Sequence, residues 1–493
     1  MGNYLAVDLG ASNGRVMLGR FDGQKLKLEE INRFETHYTR IQDAYYWDVV
    51  RLYKHIVDGI RLYARKYDEP LLGIGIDTWG VDFALLDKQG RLIGNPRAYR
   101  DPRTQRGKHS FYEKYGEQIL FELTGIANLD FNTVFQLFDM ANTGDPQLKI
   151  ADKLLLMPDL FGYMLCGEMS NEYTHASTTQ MLDKDTGSWS KKIADMVGIP
   201  VGMFAPIAMS GTVKGYLHDF IREDAGLKNA PPVFNVGGHD TASAVASIPI
   251  KDENFAFISS GTWSLIGIFS DHVIINEEMF ENQFSNEGTV DGRYRPLRNI
   301  MGLWIIQNCK REWDRQSPMS WDEVVAQVAQ TQPFQSFIDV DAPDFFDGDG
   351  MTRKIQNFCG ATGQRVPQTI GEIARTVYES LAMSYRDAFA GLEKIKGRRV
   401  NVMHIVGGGA KNALLNQFAA NALNREVVAG PYEATAIGNL IVQIKAAGEV
   451  ESGAALSRVI RDSFEVEIFM PKDTKLWAEQ YQRYVDIKNR ERQ

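Results

Sequence analysis

Tyr4-Leu5-Ala6-Val7-Asp8-Leu9-Gly10-Ala11-Ser12-Asn13-Gly14-Arg15 opens the chain with an apolar strand that runs into an aspartate and a glycine-bearing turn. Tyr4 to Val7 reads as the strand. Val16 to Leu18 resumes as a second one, and Phe21-Asp22-Gly23 is the next turn. Gly10 and Gly14 permit close backbone approach to an anion and a positive φ, so that several N–H groups converge. Ser12 and Asn13 add side-chain donors, and Arg15 adds a planar cation suited to phosphate oxygens. Asp8, at the strand end, is placed to hold a Mg²⁺ ion through water. A hairpin turn with a capping Asp and no ligand fits the same residues.

The pattern recurs. Leu71 to Ile76 is an apolar strand, followed by the turn Asp77-Thr78-Trp79-Gly80-Val81-Asp82 and a strand from Phe83 to Leu86. Between the first two strand-and-turn pairs, the stretch from about Trp47 to Lys66 has helical spacing, with Val50, Tyr53, Ile56, Val57, Ile60 and Tyr63 on one face. Val233 to Val236 leads into Gly237-Gly238-His239-Asp240-Thr241 and then into small residues suited to a closely packed helix. Phe255 to Ile258 leads into Ser259-Ser260-Gly261-Thr262 and a strand from Trp263 to Ile268.

Further along, Thr369-Ile370-Gly371-Glu372 is a capping box that opens a long helix ending before Gly397. Val400 to Val406, the turn Gly407-Gly408-Gly409, a helix from Asn412 to Asn424, a strand from Glu426 to Ala429 and a helix from about Glu433 form a β-α-β-α unit. Such alternation predicts layered α/β domains.

A chain of 493 residues is too long for one core, and two domains of roughly 200 to 250 residues each are expected. Pro249 and three neighbouring charges place the boundary between Ala246 and Asn254, giving domains 1–246 and 247–493. A net charge of -9 and a pI near 5.5 argue against nucleic acid or an anionic membrane as partner. Cys166, Cys309 and Cys359 lack metal-ligand spacing and indicate a reducing compartment. The N-terminus MGNYLAVDLG has no basic stretch leading into an apolar one, and no apolar run approaches the roughly 20 residues of a membrane span. A cytoplasmic protein acting on something small is the expectation.

The sequence contains no G-x-x-x-x-G-K-[ST] run, no H-E-x-x-H and no G-x-S-x-G. Any nucleotide is therefore held without a P-loop. Asp240 ends a strand just before a helix of small residues. It is placed to accept a proton from an attacking hydroxyl, with the helix N-terminus adding positive potential near a reacting phosphate. An N-cap aspartate fits the same position. Trp79, Gly80, Asp77 and Asp82 combine an aromatic face, a glycine and two carboxylates, a mixture suited to sugar hydroxyls and C–H faces. A surface loop around a buried Trp is the alternative. The triple glycine at 407–409 permits flat approach of an adenosine. The two turns at 8–15 and 259–262 are expected to grip one phosphate chain from both sides of a cleft.

With these turns in order, the sequence resembles the FGGY carbohydrate kinases of the actin–hexokinase superfamily. The resemblance rests on AVDLGASNGRVMLGR (6–20), GIDTWGVDFALLD (75–87), AYRDPRT (98–104), LLMPDLFGYMLCG (155–167), GHDTASAV (238–245), SSGTWSLIG (259–267), NEGTVDGRYRPLRNIMGLWIIQ (286–307) and HIVGGGAKNALLNQ (404–417). It implies two ribonuclease-H-like domains around a deep cleft, with sugar mainly on the N-terminal side and ATP mainly on the C-terminal side. Within the family the chain is most similar to members that transfer the γ-phosphoryl of ATP to the 1-hydroxyl of L-rhamnulose with Mg²⁺. L-fuculose or L-xylulose as substrate, or a non-enzymatic actin-like scaffold, are the alternatives.

The resemblance makes Asp240 the general base. It brings Gly80, His239, Asp240, Thr241 and Asn299 to the sugar, and Ala11, Ser12, Asn13, Gly14, Arg15, Thr262, Gln307 and Gly408 to the nucleotide. Phosphoryl transfer to a sugar must exclude water, which calls for closure of two domains, so a hinge near residues 247–254 is expected; a monomer or homodimer is expected. Asn13 stands where family members frequently have Ser, and the loop from Ser336 to Arg365 shows little resemblance.

Overall fold

Every residue of the Gly2–Leu9 strand is buried, the pattern of a sheet centre covered on both faces. The strand pairs antiparallel with Asn13–Phe21 and parallel with Leu71–Thr78. It is thus central in a six-stranded sheet ordered Thr212–Tyr216, Pro232–Asn235, Leu71–Thr78, Gly2–Leu9, Asn13–Phe21, Leu26–Glu35. The structure, a computed structural model, describes residues 1–250 and 254–491. The segment 247–254, expected to be boundary and hinge, includes residues 251–253, which lie outside the described residues.

The chain folds into two compact units. The first comprises Met1–Ile250, Phe269–Pro296 and Glu433–Phe464, and the second the described residues of Lys251–Ile268, Leu297–Tyr432 and Glu465–Gln493. In the second, Phe255–Ser260 pairs antiparallel with Trp263–Gly267, which pairs antiparallel with Tyr294–Met301. On its other side Phe255–Ser260 runs parallel to Val402–Val406, then come Glu426–Ala429, parallel, and Glu467–Phe469, antiparallel. Counted from Leu26–Glu35 in the first sheet and from Tyr294–Met301 in the second, the pairings read antiparallel, antiparallel, parallel, parallel, antiparallel in both. This duplicated α/β scheme is the ribonuclease-H-like arrangement that the family resemblance implies.

The long helix is Ile370–Lys396. Its capping box is formed as expected: Glu372 N donates to Thr369 Oγ1 at 3.2 Å and Thr369 N to Glu372 Oε2 at 3.1 Å, and Gly397 closes it in the left-handed region. The first helix, Val49–Lys66, is capped by Asp48 and buries Val49, Leu52, Ile56, Val57, Ile60 and Tyr63. Val50, expected on that face, is 61% exposed. Val49 takes its place, because a helix beginning after Asp48 sets the phase of the stripe, and Trp47 precedes the helix.

The helix expected from about Glu433 is Ala434–Ala446. It completes no C-terminal β-α-β-α unit but packs on the first unit's sheet, where Ile437, Leu440, Ile441 and Ile444 join Tyr4, Ala6, Met17 and Phe21 in one core. Small residues let it approach. A Cβ on Gly19 would lie 2.7 Å from Leu440, and one on Gly75 would lie 2.4 Å from Asn439 Oδ1.

Candidate active site

Gly2–Leu9, Leu71–Thr78 and Pro232–Asn235 are adjacent and parallel. Their carboxyl ends deliver three turns to one edge of the first unit's sheet, the edge where open α/β sheets bind ligands. Asp8 lies opposite Asp77 across the parallel ladder and opposite Arg15 across the antiparallel one.

The first turn is closed by Gly10 N donating to Asn13 O at 3.0 Å, and Ser12 and Asn13 keep accessible side chains. The expectation of positive φ at Gly10 and Gly14 is not met: neither has it, and Gly14 lies within strand Asn13–Phe21. Gly14 is small because a Cβ there would stand 2.4 Å from the Phe34 ring. Arg15 donates to Asp8 Oδ2 at 2.6 Å and to Glu433. Its guanidinium therefore already bridges two carboxylates, which raise its pKa against the effect of burial.

The second turn is anchored by Thr78 N donating to Gly238 O at 2.9 Å and Trp79 N donating to Leu9 O at 3.2 Å. Val81 has φ 66°, a conformation costly for a β-branched residue. Neighbours hold it there: Thr133 Oγ1 donates to Val81 O at 2.6 Å, and Val81 N donates to Thr178 Oγ1 at 3.3 Å. A Cβ on Gly80 would lie 3.4 Å from both His239 Nε2 and Thr178 Oγ1, so Gly80 leaves room beside His239.

Asp82 is a correction to the sequence reading. Its Oδ2 accepts from Trp47 Nε1 at 2.7 Å, Trp79 Nε1 at 3.0 Å and Tyr99 N at 3.1 Å, and its Oδ1 accepts from Gln136 Nε2 at 3.1 Å. With no exposed surface and both oxygens taken, it offers nothing to a sugar; it ties Trp79 to Trp47, whose rings lie 3.9 Å apart. Burial pushes its pKa up to about 6 despite these donors. Trp79 itself is 4% exposed and forms a wall of the core.

The third turn needs its two glycines for closeness. A Cβ on Gly237 would lie 2.8 Å from Ser243 N, and one on Gly238 2.9 Å from Glu172 Oε2. Glu172, which sequence reasoning missed, is buried and accepts from Gly238 N at 2.9 Å and His175 N at 3.1 Å. Its isolation between Met169 and Thr174, far along the chain, carries no signal of that contact.

Asp240 is the first residue of the helix Asp240–Ala246, whose cap is His239 without a side-chain bond, so the N-cap alternative does not apply. Its side chain keeps 31% of its surface exposed, and its Oδ1 lies 3.5 Å from His239 Nε2 and 3.3 Å from Thr241 Oγ1. Burial raises its pKa, with the charge of Asp8 adding and His239 opposing. A recessed yet reachable carboxylate of this kind is suited to accept a proton.

Asp77 is fully buried, with its pKa raised by burial and then by the charge of Asp8. Asn439 Nδ2 donates to its Oδ2 at 2.7 Å, while its Oδ1 has no hydrogen-bond partner among the described residues. Asp8, Asp77 and Asp240 lie at the carboxyl-end edge of one sheet and are hard oxygen donors of the kind that Mg²⁺ takes. Among the described residues no three or more His, Cys, Asp or Glu side chains are grouped to hold a metal alone.

In the second unit, Ser260 joins two of the expected turns. A Cβ on Gly407 would lie 2.9 Å from Ser260 O, and one on Gly409 2.0 Å from Ser260 Oγ, whereas one on Gly408 would meet nothing within 4 Å. Only the middle glycine thus opens onto free space. Gly407 has φ 89°, which the turn requires. Leu303 N donates to Gly261 O and Trp304 N to Thr262 O, each at 3.1 Å, so the turn abuts the helix Trp304–Gln316 that carries Gln307. Asn299, on strand Tyr294–Met301, has a buried Oδ1 without a hydrogen-bond partner among the described residues.

No helix among the described residues is long and apolar enough to cross a membrane. The N-terminal domain model of the FGGY family of carbohydrate kinases matches residues 3–247, and its C-terminal domain model matches residues 256–447. A rhamnulokinase of Bacteroides thetaiotaomicron is 41% identical over 479 residues, covering 97% of this chain and 98% of that one. A rhamnulokinase of Ligilactobacillus salivarius is 38% identical, covering 99% of each. Among solved structures, ligand-bound xylulose kinase from Lactobacillus acidophilus superposes with a TM-score of 0.80 at 15% identity, covering 99% of this chain and 98% of that one. Glycerol kinase from Plasmodium falciparum with ADP gives 0.80 at 17% identity, with the same coverage. These two show the fold. On the family models and the full-length relatives, the chain belongs to the FGGY family of carbohydrate kinases and is a carbohydrate kinase.

Proposed function

We propose that this kinase transfers the γ-phosphoryl group of ATP to the 1-hydroxyl of L-rhamnulose, in the catabolism of L-rhamnose. The observation that carries the reading is Asp240: reachable, of raised pKa, and at the same strand edge as Asp8 and Gly80, in a chain 41% identical to a rhamnulokinase. Asp240 takes the hydroxyl proton as the oxygen attacks phosphorus, a step in which the protein mainly positions and neutralises. His239, Thr241, Gly80 and Asn299 bind the sugar. Trp79 shapes the wall beside it, with Asp82 holding Trp79 in place.

Ala11, Ser12, Asn13, Gly14 and Arg15 meet the phosphates, and Thr262, Gln307 and Gly408 hold the rest of the nucleotide. Arg15 reaches phosphate by exchanging a carboxylate partner for a phosphate oxygen. Asp8 would hold Mg²⁺, and the ion when bound would neutralise charge on the transferring group. We assign sugar binding mainly to residues 1–246 and ATP binding mainly to residues 247–493.

Asp240→Asn tests the assignment of the base. Transfer is expected to fall by about a thousandfold or more while ATP binding stays within about threefold. Loss of nucleotide affinity as large as the loss of rate shows instead that Asp240 is structural.

A further inference from the structure

The helix Asp240–Ala246 begins without a side-chain cap, so its entry is set by the backbone that leads into it. Two N–H groups of that backbone converge on one carboxylate oxygen. Gly238 N donates to Glu172 Oε2 at 2.9 Å, and His239 N donates to Thr174 Oγ1 at 3.3 Å. Thr174 Oγ1 in turn donates to the same Oε2 at 2.6 Å. From the other side, Gly238 O accepts from Thr78 N at 2.9 Å.

Glu172 is itself fixed. It lies on the short strand Asn171–Glu172, where its N donates to Asp159 Oδ2 at 2.9 Å, and Asp159 Oδ1 accepts from Lys214 Nζ at 2.8 Å. Asn171 clamps the strand, its Oδ1 accepting from Leu156 N at 2.8 Å and its Nδ2 donating to Leu154 O at 3.1 Å. Ser210 Oγ donates to Glu172 Oε1 at 2.5 Å. Only 2% of Glu172 is exposed, and a carboxylate so deeply buried is tolerated when donors supply its oxygens. Most of those donors belong to the turn before Asp240 or to the residues beside it.

A rigid acceptor at this place decides where Asp240 stands. Asp240 follows His239 directly, so any shift of the 238–239 backbone is passed to its carboxylate. A misplacement of about 1 Å at a reacting group costs about a hundredfold in rate.

We propose that Glu172, acting directly on Gly238 N and through Thr174 on His239 N, is the positioning residue that sets the Asp240 carboxylate against the sugar hydroxyl. The role rests on the reading of Asp240 as base given above. It requires an acceptor oxygen in the place of Oε2 and does not require a negative charge.

Glu172→Gln and Glu172→Leu, made in the full chain, separate the acceptor from the charge. In Glu172→Gln the amide oxygen takes the place of Oε2, and the amide nitrogen donates to Ser210 Oγ, whose hydroxyl turns to Val236 O, 3.3 Å away. Glu172→Leu keeps the bulk and has no acceptor. Per folded enzyme, kcat for sugar phosphorylation is expected to fall by about thirtyfold to a hundredfold in Glu172→Leu, with KM for ATP within about threefold of wild type. Glu172→Gln is expected to stay within about fivefold in kcat. Hydrogen–deuterium exchange at the Gly238 and His239 amides should be slow in the wild type and Glu172→Gln and fast in Glu172→Leu.

A Glu172→Leu enzyme within about threefold of wild-type kcat overturns the proposal, and so does a Glu172→Gln enzyme as slow as Glu172→Leu. If Glu172→Leu does not fold, Thr174→Val decides, because it removes only the relay to His239 N. Its kcat should fall by about tenfold, and a kcat within about twofold of wild type overturns the proposal. Failure of the substrate reading shows separately, as a wild-type enzyme that transfers nothing to L-rhamnulose. In that case the exchange at Gly238 and His239 still decides whether Glu172 holds the turn, and fast exchange in the wild type overturns it.

Discussion

Asp82 carries a charge in surroundings that make it costly. Its pKa rises from 3.8 to about 6 because burial outweighs four donors. A carboxyl group whose folded pKa lies above its unfolded value favours the fold most below the unfolded value, and that contribution is lost as pH rises through about 6. The difference amounts to about 3 kcal/mol between full protonation and full ionisation. Asp82→Asn, which cannot ionise, should therefore gain stability relative to the wild type by about that amount from pH 4 to pH 7. Urea unfolding of both proteins across this range measures it, and parallel profiles refute it. The residue also shows a limit of sequence. Its place in the turn marks it as a carboxylate near sugar-binding types, but the donors that occupy it come from Trp47, Tyr99 and Gln136, which no local pattern links to it.

Local rules sufficed for elements whose ends are set by neighbours in sequence. The capping box at Thr369 and the stop at Gly397 are read from side chains three residues apart and from one glycine. They failed where packing decides, as for Ala434–Ala446, whose apolar face gives no sign of which sheet it covers. Gly438 shows what fixes it, since a Cβ there would lie 1.7 Å from Ser243 O in the helix Asp240–Ala246. Helix propensity alone makes Gly438→Ala stabilising by about 1 kcal/mol. The backbone clash outweighs this, and a net loss of about 3 kcal/mol is expected from forced overpacking. The urea midpoint reports which effect wins; a raised midpoint refutes the close helix contact. Because that contact seats Asp240, sugar kcat/KM should fall with it.

Across the whole molecule, the alternation of strands and helices made two α/β domains legible, because apolar runs and glycine turns recur at matching places in both halves. What the alternation could not convey is that the chain returns to the first unit at Phe269–Pro296 and Glu433–Phe464. Those returns bring Glu287, Arg295, Glu433 and Asn439 to the turns at Asp8, Asp77 and His239. Charged side chains buried beside a site come from distant sequence, so no spacing rule reveals them. The central claim is transfer of phosphate from ATP to L-rhamnulose with Asp240 as base. Its most direct measurement is ADP release by the wild-type protein and Asp240→Asn over L-rhamnulose, L-fuculose, L-xylulose and D-xylulose. The expected result is the highest kcat/KM for L-rhamnulose in the wild type and loss of transfer to every sugar in the variant. Preference for another ketose, or sugar-independent ATP hydrolysis that persists unchanged in Asp240→Asn, would contradict it.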